Sequence, residues 1–150
     1  MRILVQEAPF ELGAESDAFA AGVAGAGAVV TFTGVVRDAD QGGLQAMEIE
    51  HYPGMTEKAM TAIVEEACKR WSLADALVIH RHGPLAPGET IMMVATAAGH
   101  RAEAFAAADF LMDYLKSRAP FWKKEHGEDS SHWVEARKSD GAATEKWQRR

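Results

Sequence analysis

The stretch YLKSRAPFWKKE, Tyr114 to Glu125, places Lys116, Arg118, Lys123 and Lys124 within nine positions and no acid before Glu125. A solvated face normally mixes the two signs. Here a proline and two large aromatics separate two pairs of cations. Ammonium groups in such a run can hold an anion. Beside an apolar wall that strips their water, they can also exchange protons. For Lys116 and Arg118 a second explanation stands, because cations at a helix C-terminus offset the macrodipole by roughly 0.3–1 kcal/mol. That explanation does not reach Lys123 and Lys124, which lie beyond the proline. Phe121 and Trp122 are either core residues or the wall of a pocket.

A second basic point is Gly99-His100-Arg101. These residues open a long helical pattern, where cations oppose the dipole unless an anion sits on the free N–H groups. An exposed helix start is the alternative. Arg37 ends the run TFTGVVR and, taken alone, reads as surface. His51, His80 and His82 suggest a metal set, with His80 and His82 sharing one strand face. No third ligand has a matching local spacing, so structural or surface histidines and no metal are expected. Cys68 falls in phase with Met60, Val64 and Ala67 and is expected in the core, not as a catalytic thiol.

The elements that must position these residues follow from periodicity and breakers. MRILVQ reads as a strand. Ser16 or Asp17 caps a weak helix that ends at Gly22, Gly25 and Gly27. Residues 28–37 are β-branched and aromatic, and LQAMEIEHY alternates. With the turn residues DADQGG between them, these two strands predict an antiparallel hairpin. The spacing predicts a helix from about Thr56 to Trp71. DALVIHRHG and TIMMVATAA read as strands around the loop PLAPGE. A second long helix spans about His100 to Arg118, with Phe105, Ala108, Met112 and Leu115 as its buried stripe, and Ala119-Pro120 ends it. SHWVEAR is a late strand, and the tail is polar except for Trp147. Interleaved elements with tight turns predict an α+β fold, helices packed on a mainly antiparallel sheet.

The chain has 150 residues, 47% hydrophobic and 25% charged, with net charge −6 and one cysteine. One domain over residues 1–150 is expected. The acidic balance argues against wholesale nucleic-acid binding and confines any anion site to a local basic patch. A single cysteine excludes an internal disulfide. The first residues lack a secretory pattern and no apolar run is long enough to span a bilayer, so a cytoplasmic protein is expected. The absence of GxxxxGK[ST] argues against a nucleotide-phosphate enzyme. A module that captures a partner's C-terminal carboxylate remains an alternative.

Five motifs occur in order: VVTFTGVVRD, IEHYPGMTEKAM, GHR before a helix, DYLKSRAPFWKKE and WVEAR. Together they resemble the large, catalytic subunit family of molybdopterin synthase, strongly over residues 28–138. The resemblance implies a fold of α/β-hammerhead type and an enzyme of molybdenum-cofactor synthesis. It implies sulfur transfer to cyclic pyranopterin monophosphate from the thiocarboxylated Gly-Gly tail of a small ubiquitin-like partner. It also implies a homodimer that becomes a heterotetramer with that partner, and no cofactor. By position it assigns catalysis to Lys116 and Lys123, with Lys124 and Glu125 beside them. It assigns the substrate anion to Arg37, His100 and Arg101. Many members have Lys where this chain has Val35, which leaves Arg37 as the contact expected there.

Overall fold

The computed structural model describes residues 1–38, 42–127, 131–134 and 138–148. In chain order the elements are β1 (Arg2–Gln6), α1 (Leu12–Ala21), β2 (Ala28–Val35), β3 (Leu44–His51), α2 (Met55–Trp71) and β4 (Asp75–Arg81). β5 (Gly83–Leu85), β6 (Thr90–Ala98), α3 (Arg101–Ser117), β7 (Phe121–Gly127), β8 (Ser131–Val134) and α4 (Lys138–Gln148) follow. They make two four-stranded sheets, in the orders β1-β4-β6-β2 and β5-β3-β7-β8. Only the β1–β4 pairing is parallel among the described residues. The α+β class and mainly antiparallel pairing are as expected, but the strands divide between two sheets.

The division explains the unbroken apolar runs of β4 and β6. Both faces of the first sheet are covered, so both side-chain sets are buried. Leu77, Ile79, Met93 and Ala97 pack with Phe19 and Val23 on the α1 side. Ala76, Val78, Met92 and Val94 face Met60 and Val64 of α2 and Phe110 and Leu111 of α3.

The expected hairpin between β2 and β3 does not form. β2 pairs with β6, whereas β3 lies between β5 and β7 in the other sheet. The chain turns away at Val36, which is buried and exchanges hydrogen bonds with the loop before β6: its N–H donates to the Glu89 carbonyl, and its own carbonyl accepts from Gly88. Alternation marks a strand but does not name its partner. The single strand expected over 75–83 also divides, because Gly83 adopts φ +87° and turns the chain from one sheet into the other.

The first helix begins earlier than its expected cap at Ser16 or Asp17, with Glu11 at the N-cap. The buried stripe of α3 is Ala104, Ala107, Ala108, Phe110, Leu111, Tyr114 and Leu115. Phe105 is 62% exposed, contrary to expectation. The alanines set the phase: they let the helix lie close on β6, where the Thr96 hydroxyl donates to the Ala104 carbonyl at 2.7 Å. Three elements were not expected. β5 takes Pro84 and Leu85 from the expected loop and pairs them with β3. FWKKEHG is too polar to read as a strand, and α4 carries little apolar surface beyond Trp147, which is buried against α3.

Candidate active site

Lys116 stands exposed in the last turn of α3. The helix ends at Arg118, whose N–H donates to the Tyr114 carbonyl at 2.8 Å and whose guanidinium lies 4.8 Å from the Tyr114 ring centroid. Arg118 is thus folded back on its own helix. The connector then passes Pro120, whose carbonyl accepts a hydrogen bond from the fully buried Thr56 hydroxyl at 3.0 Å.

Beyond the connector, β7 sorts the second pair of cations by its two-residue period. On one face Phe121 lies opposite His51 and Lys123 opposite Ile49, which is buried. On the other face Trp122 lies opposite Glu50 and Lys124 opposite Glu48. The Glu48 carboxylate also bonds the His126 ring at 3.1 Å. Lys123 therefore shares the core-facing side with Phe121, and Lys124 faces a carboxylate on the outer side. Neighbours in sequence, they occupy different environments. The Glu125 backbone is in β7, but its side chain lies outside the described residues, as does the Arg137 end of WVEAR.

The core-facing side of β7 meets the histidines. The Phe121 ring stacks on His80 at 3.8 Å and 18°, and His51 packs against His82 at 4.2 Å. His80 is buried and its Nδ1–H donates to the Arg81 carbonyl at 2.8 Å. Burial pushes its pKa down to about 4, and the charge of Lys123 and the neighbouring histidines act in the same direction. His80 is therefore a neutral ring under the aromatic wall. His82 lies past the end of β4 and does not share a strand face with His80; its N–H donates to the Gln6 carbonyl. Among the described residues no group of three or more His, Cys, Asp or Glu could hold a metal ion. Trp122, on the outer face, meets Tyr52 edge-on at 4.6 Å. With Glu50 and His51 these rings line an open depression of about 290 Å³.

His100 and Arg101 stand elsewhere. Both are exposed at the start of α3, His100 in extended backbone at the N-cap with no side-chain cap bond. Fifteen residues of helix separate Arg101 from Lys116, about 22 Å at the α-helical rise. Their turn is fixed by a close crossing, since a Cβ on Gly27 would collide with the Gly99 carbonyl oxygen. Arg37 follows the far end of β2. There Val35 pairs with Thr90 at the start of β6, whereas Ala28 pairs with Ala98 just before the Gly99 turn. The strand length between is about 23 Å. One copy of the chain thus puts His100 and Arg101 at one end of α3 and Lys116 at the other. Arg37 lies at the sheet end away from His100.

Cys68 packs partly buried against the main core, and burial pushes its thiol up, away from the thiolate form. Thr56 and His80 are site-shaping residues that the reading of the sequence did not single out for this role. The signal for Thr56 was present in YPGMT, a Pro-Gly turn followed by a hydroxyl at a helix start. The long-range partner on the Pro120 side was not.

These features define an α+β protein of two sheets, with basic residues at both ends of one long helix and a lysine on the strand beyond. The model of the MoaE protein family matches residues 5–118. The chain belongs to that family. It is 69% identical to the molybdopterin synthase catalytic subunit of Cereibacter sphaeroides over 98% of this chain and 100% of that one. It is 58% identical to the protein of that name from Ralstonia nicotianae, over 97% of this chain and 83% of the relative. Its fold matches the solved molybdopterin biosynthesis MoaE protein from Burkholderia ambifaria with a TM-score of 0.84 at 49% identity, covering 98% and 97% of the two chains.

Proposed function

We propose that this chain is the catalytic subunit of a molybdopterin synthase, an enzyme of molybdenum-cofactor synthesis. The observation that carries the proposal is the 69% identity, over essentially both full lengths, to a protein of that name. Its reaction is sulfur transfer from the C-terminal thiocarboxylate of a small ubiquitin-like partner to cyclic pyranopterin monophosphate. Lys116 engages the thiocarboxylate and assists its attack on the pterin side chain. Lys123, on the half-buried side of β7, moves a proton or stabilises developing charge. His100 and Arg101 hold the phosphate, Arg37 meets the substrate anion from the end of the sheet away from them and so from the other copy, and Lys124 and Glu125 flank the lysine site. Sulfur is delivered rather than stored, which suits a Cys68 held in its thiol form. The chain works in the cytoplasm; no helix among the described residues is long and apolar enough to cross a membrane.

The separation of His100 and Arg101 from Lys116 favours the homodimer. One small substrate does not span about 22 Å of helix, so a second copy must supply one of the two ends. β2 is a sheet edge that exposes Val29, Phe32 and Val35, and Phe105 is exposed near the start of α3. An apolar edge of this kind is a natural seat for a second copy. Two copies with one small partner each make the heterotetramer. The test is to mix the chain with thiocarboxylated small subunit and cyclic pyranopterin monophosphate and assay for the dithiolene product. Product at more than one sulfur transfer per site, given fresh partner, is expected. None from a folded, partner-binding chain would overturn the proposal.

A further inference from the structure

Lys116 and Lys123 belong to different elements, α3 and β7, joined by a short connector over residues 118–120 that ends at Pro120. A transfer that uses both lysines needs that connector fixed, because small misplacements of reacting groups cost large factors in rate. Backbone bonds from the Arg118 N–H to the Tyr114 carbonyl and from the Phe121 N–H to the Ala119 carbonyl hold its ends, and one buried side chain tethers it to the rest of the fold. The Thr56 hydroxyl lies in the first turn of α2, accepts the Tyr52 N–H at 3.0 Å, and donates to the Pro120 carbonyl at 3.0 Å. The Thr56 N–H in turn donates to the Tyr52 carbonyl at 2.9 Å.

The chemistry of a hydroxyl makes this arrangement directional. It has one proton to give and lone pairs to accept with. By accepting from Tyr52, Thr56 keeps its proton for Pro120. Pro120 follows the helix end, and Phe121, next in the chain, opens β7 opposite His51, the residue before Tyr52. Thr56 thus joins the end of β3, the start of α2 and the turn between the two lysines at one buried point.

We infer that Thr56 is a positioning residue that sets the placement of Lys123 relative to Lys116 through the Pro120 carbonyl. The inference rests on the proposed role of the two lysines in sulfur transfer. Replacing the hydroxyl by a methyl, in Thr56→Val, keeps the shape but leaves the Tyr52 N–H and the Pro120 carbonyl without this partner. The connector is then free to settle elsewhere. Thr56→Ser keeps the hydroxyl.

The test is single-turnover product formation with preloaded thiocarboxylated partner, alongside a titration of partner binding, both read well below each variant's melting midpoint. Thr56→Val is expected to slow transfer roughly ten- to a hundredfold while partner affinity changes less than about threefold, and Thr56→Ser to stay within about threefold of wild type. Thr56→Ala replaces Thr56→Val if the latter does not fold. A residue that acts through the lysine it places gives a non-additive cycle, so Thr56→Val combined with Lys123→Ala is expected to be no slower than Lys123→Ala alone. A purely structural role lowers the melting midpoint and leaves the rate of the folded enzyme unchanged. Wild-type turnover in Thr56→Val, a Thr56→Ser as slow as Thr56→Val, or multiplied losses in the double variant would each overturn the inference. If Lys116→Ala and Lys123→Ala themselves turn over normally, the lysine assignment fails and takes the inference with it.

Discussion

Adjacent residues on a strand live on opposite faces, and Lys123 and Lys124 show what that does to two identical side chains. Lys123 lies opposite buried Ile49, beside the Phe121–His80 stack, and Lys124 lies opposite Glu48. Lys123→Ala is therefore expected to reduce single-turnover sulfur transfer at least tenfold more than Lys124→Ala, measured with saturating partner. Comparable losses would mean that the strand face does not select the lysine. His80 makes a separate prediction at the same scale. Its folded-state pKa, about 4, lies below the ordinary histidine value near 6.5, so the unfolded chain binds the extra proton between those values. Its contribution to stability is intact above about pH 6.5 and is lost as pH falls toward 4, on the order of 2 kcal/mol by pH 5. Urea melts of the wild type and His80→Gln at both pH values check this. The wild type should lose more stability on acidification than the variant, and equal losses would show that His80 is not the group responsible.

Among the elements, α4 illustrates how a polar helix is held. Its Trp147 is buried, with Nε1–H donating to Asp113 at 2.6 Å and its carbonyl accepting from Arg70 at 2.9 Å. The Trp147 ring meets Trp71 and Phe110 edge-on. Trp147→Ala should cost about 3–5 kcal/mol, the range for a large buried aromatic, whereas Trp147→Phe should lose mainly the hydrogen bond, about 1.5–3 kcal/mol to a charged acceptor. Chemical denaturation of both variants checks the difference. If Trp147→Ala melts like the wild type, α4 is not docked. Periodicity alone exposed α2, α3, β4 and β6 in the sequence, because long regular burial leaves a long regular pattern. It missed α4, whose one large buried apolar side chain among the described residues is Trp147 and whose Lys146 ties it to Asp109 and Asp113, and β7, whose alternation is disguised by lysines on both faces. It mispaired β2 with β3 because local turn residues say nothing of the partners that Val36 finds at Gly88 and Glu89. It misphased α3 because Phe105 outweighs the small alanines that in fact touch the sheet. The candidate site could be proposed from the sequence as types and order, from the basic positions along YLKSRAPFWKKE and at His100 and Arg101. Its geometry could not, since neither the distance along α3 nor the bridge from Thr56 to Pro120 is a local property.

For the whole molecule, the question is how the proposed site can draw on cations at two ends of one helix. The proposed dimer lets one copy contribute Lys116 and Lys123 and the other His100 and Arg101. Mixing Lys116→Ala with Arg101→Ala protein, each nearly inactive alone, should then restore activity to about a quarter of the sites at equal ratio, if copies pair at random. No recovery would mean each site is built within one chain. With net charge −6, the chain confines its attraction for anions to local basic patches, and the proposed site draws on two of them. The most direct test of the account is single-turnover transfer from preloaded thiocarboxylated partner by wild type, Lys116→Ala and Lys116→Arg, with partner affinity and melting measured for each. The account predicts that both variants fold, bind the partner nearly as well, and transfer sulfur at least about a hundredfold more slowly, some 3 kcal/mol of barrier. Transfer near the wild-type rate in both would make Lys116 only a helix-end cation and contradict the account.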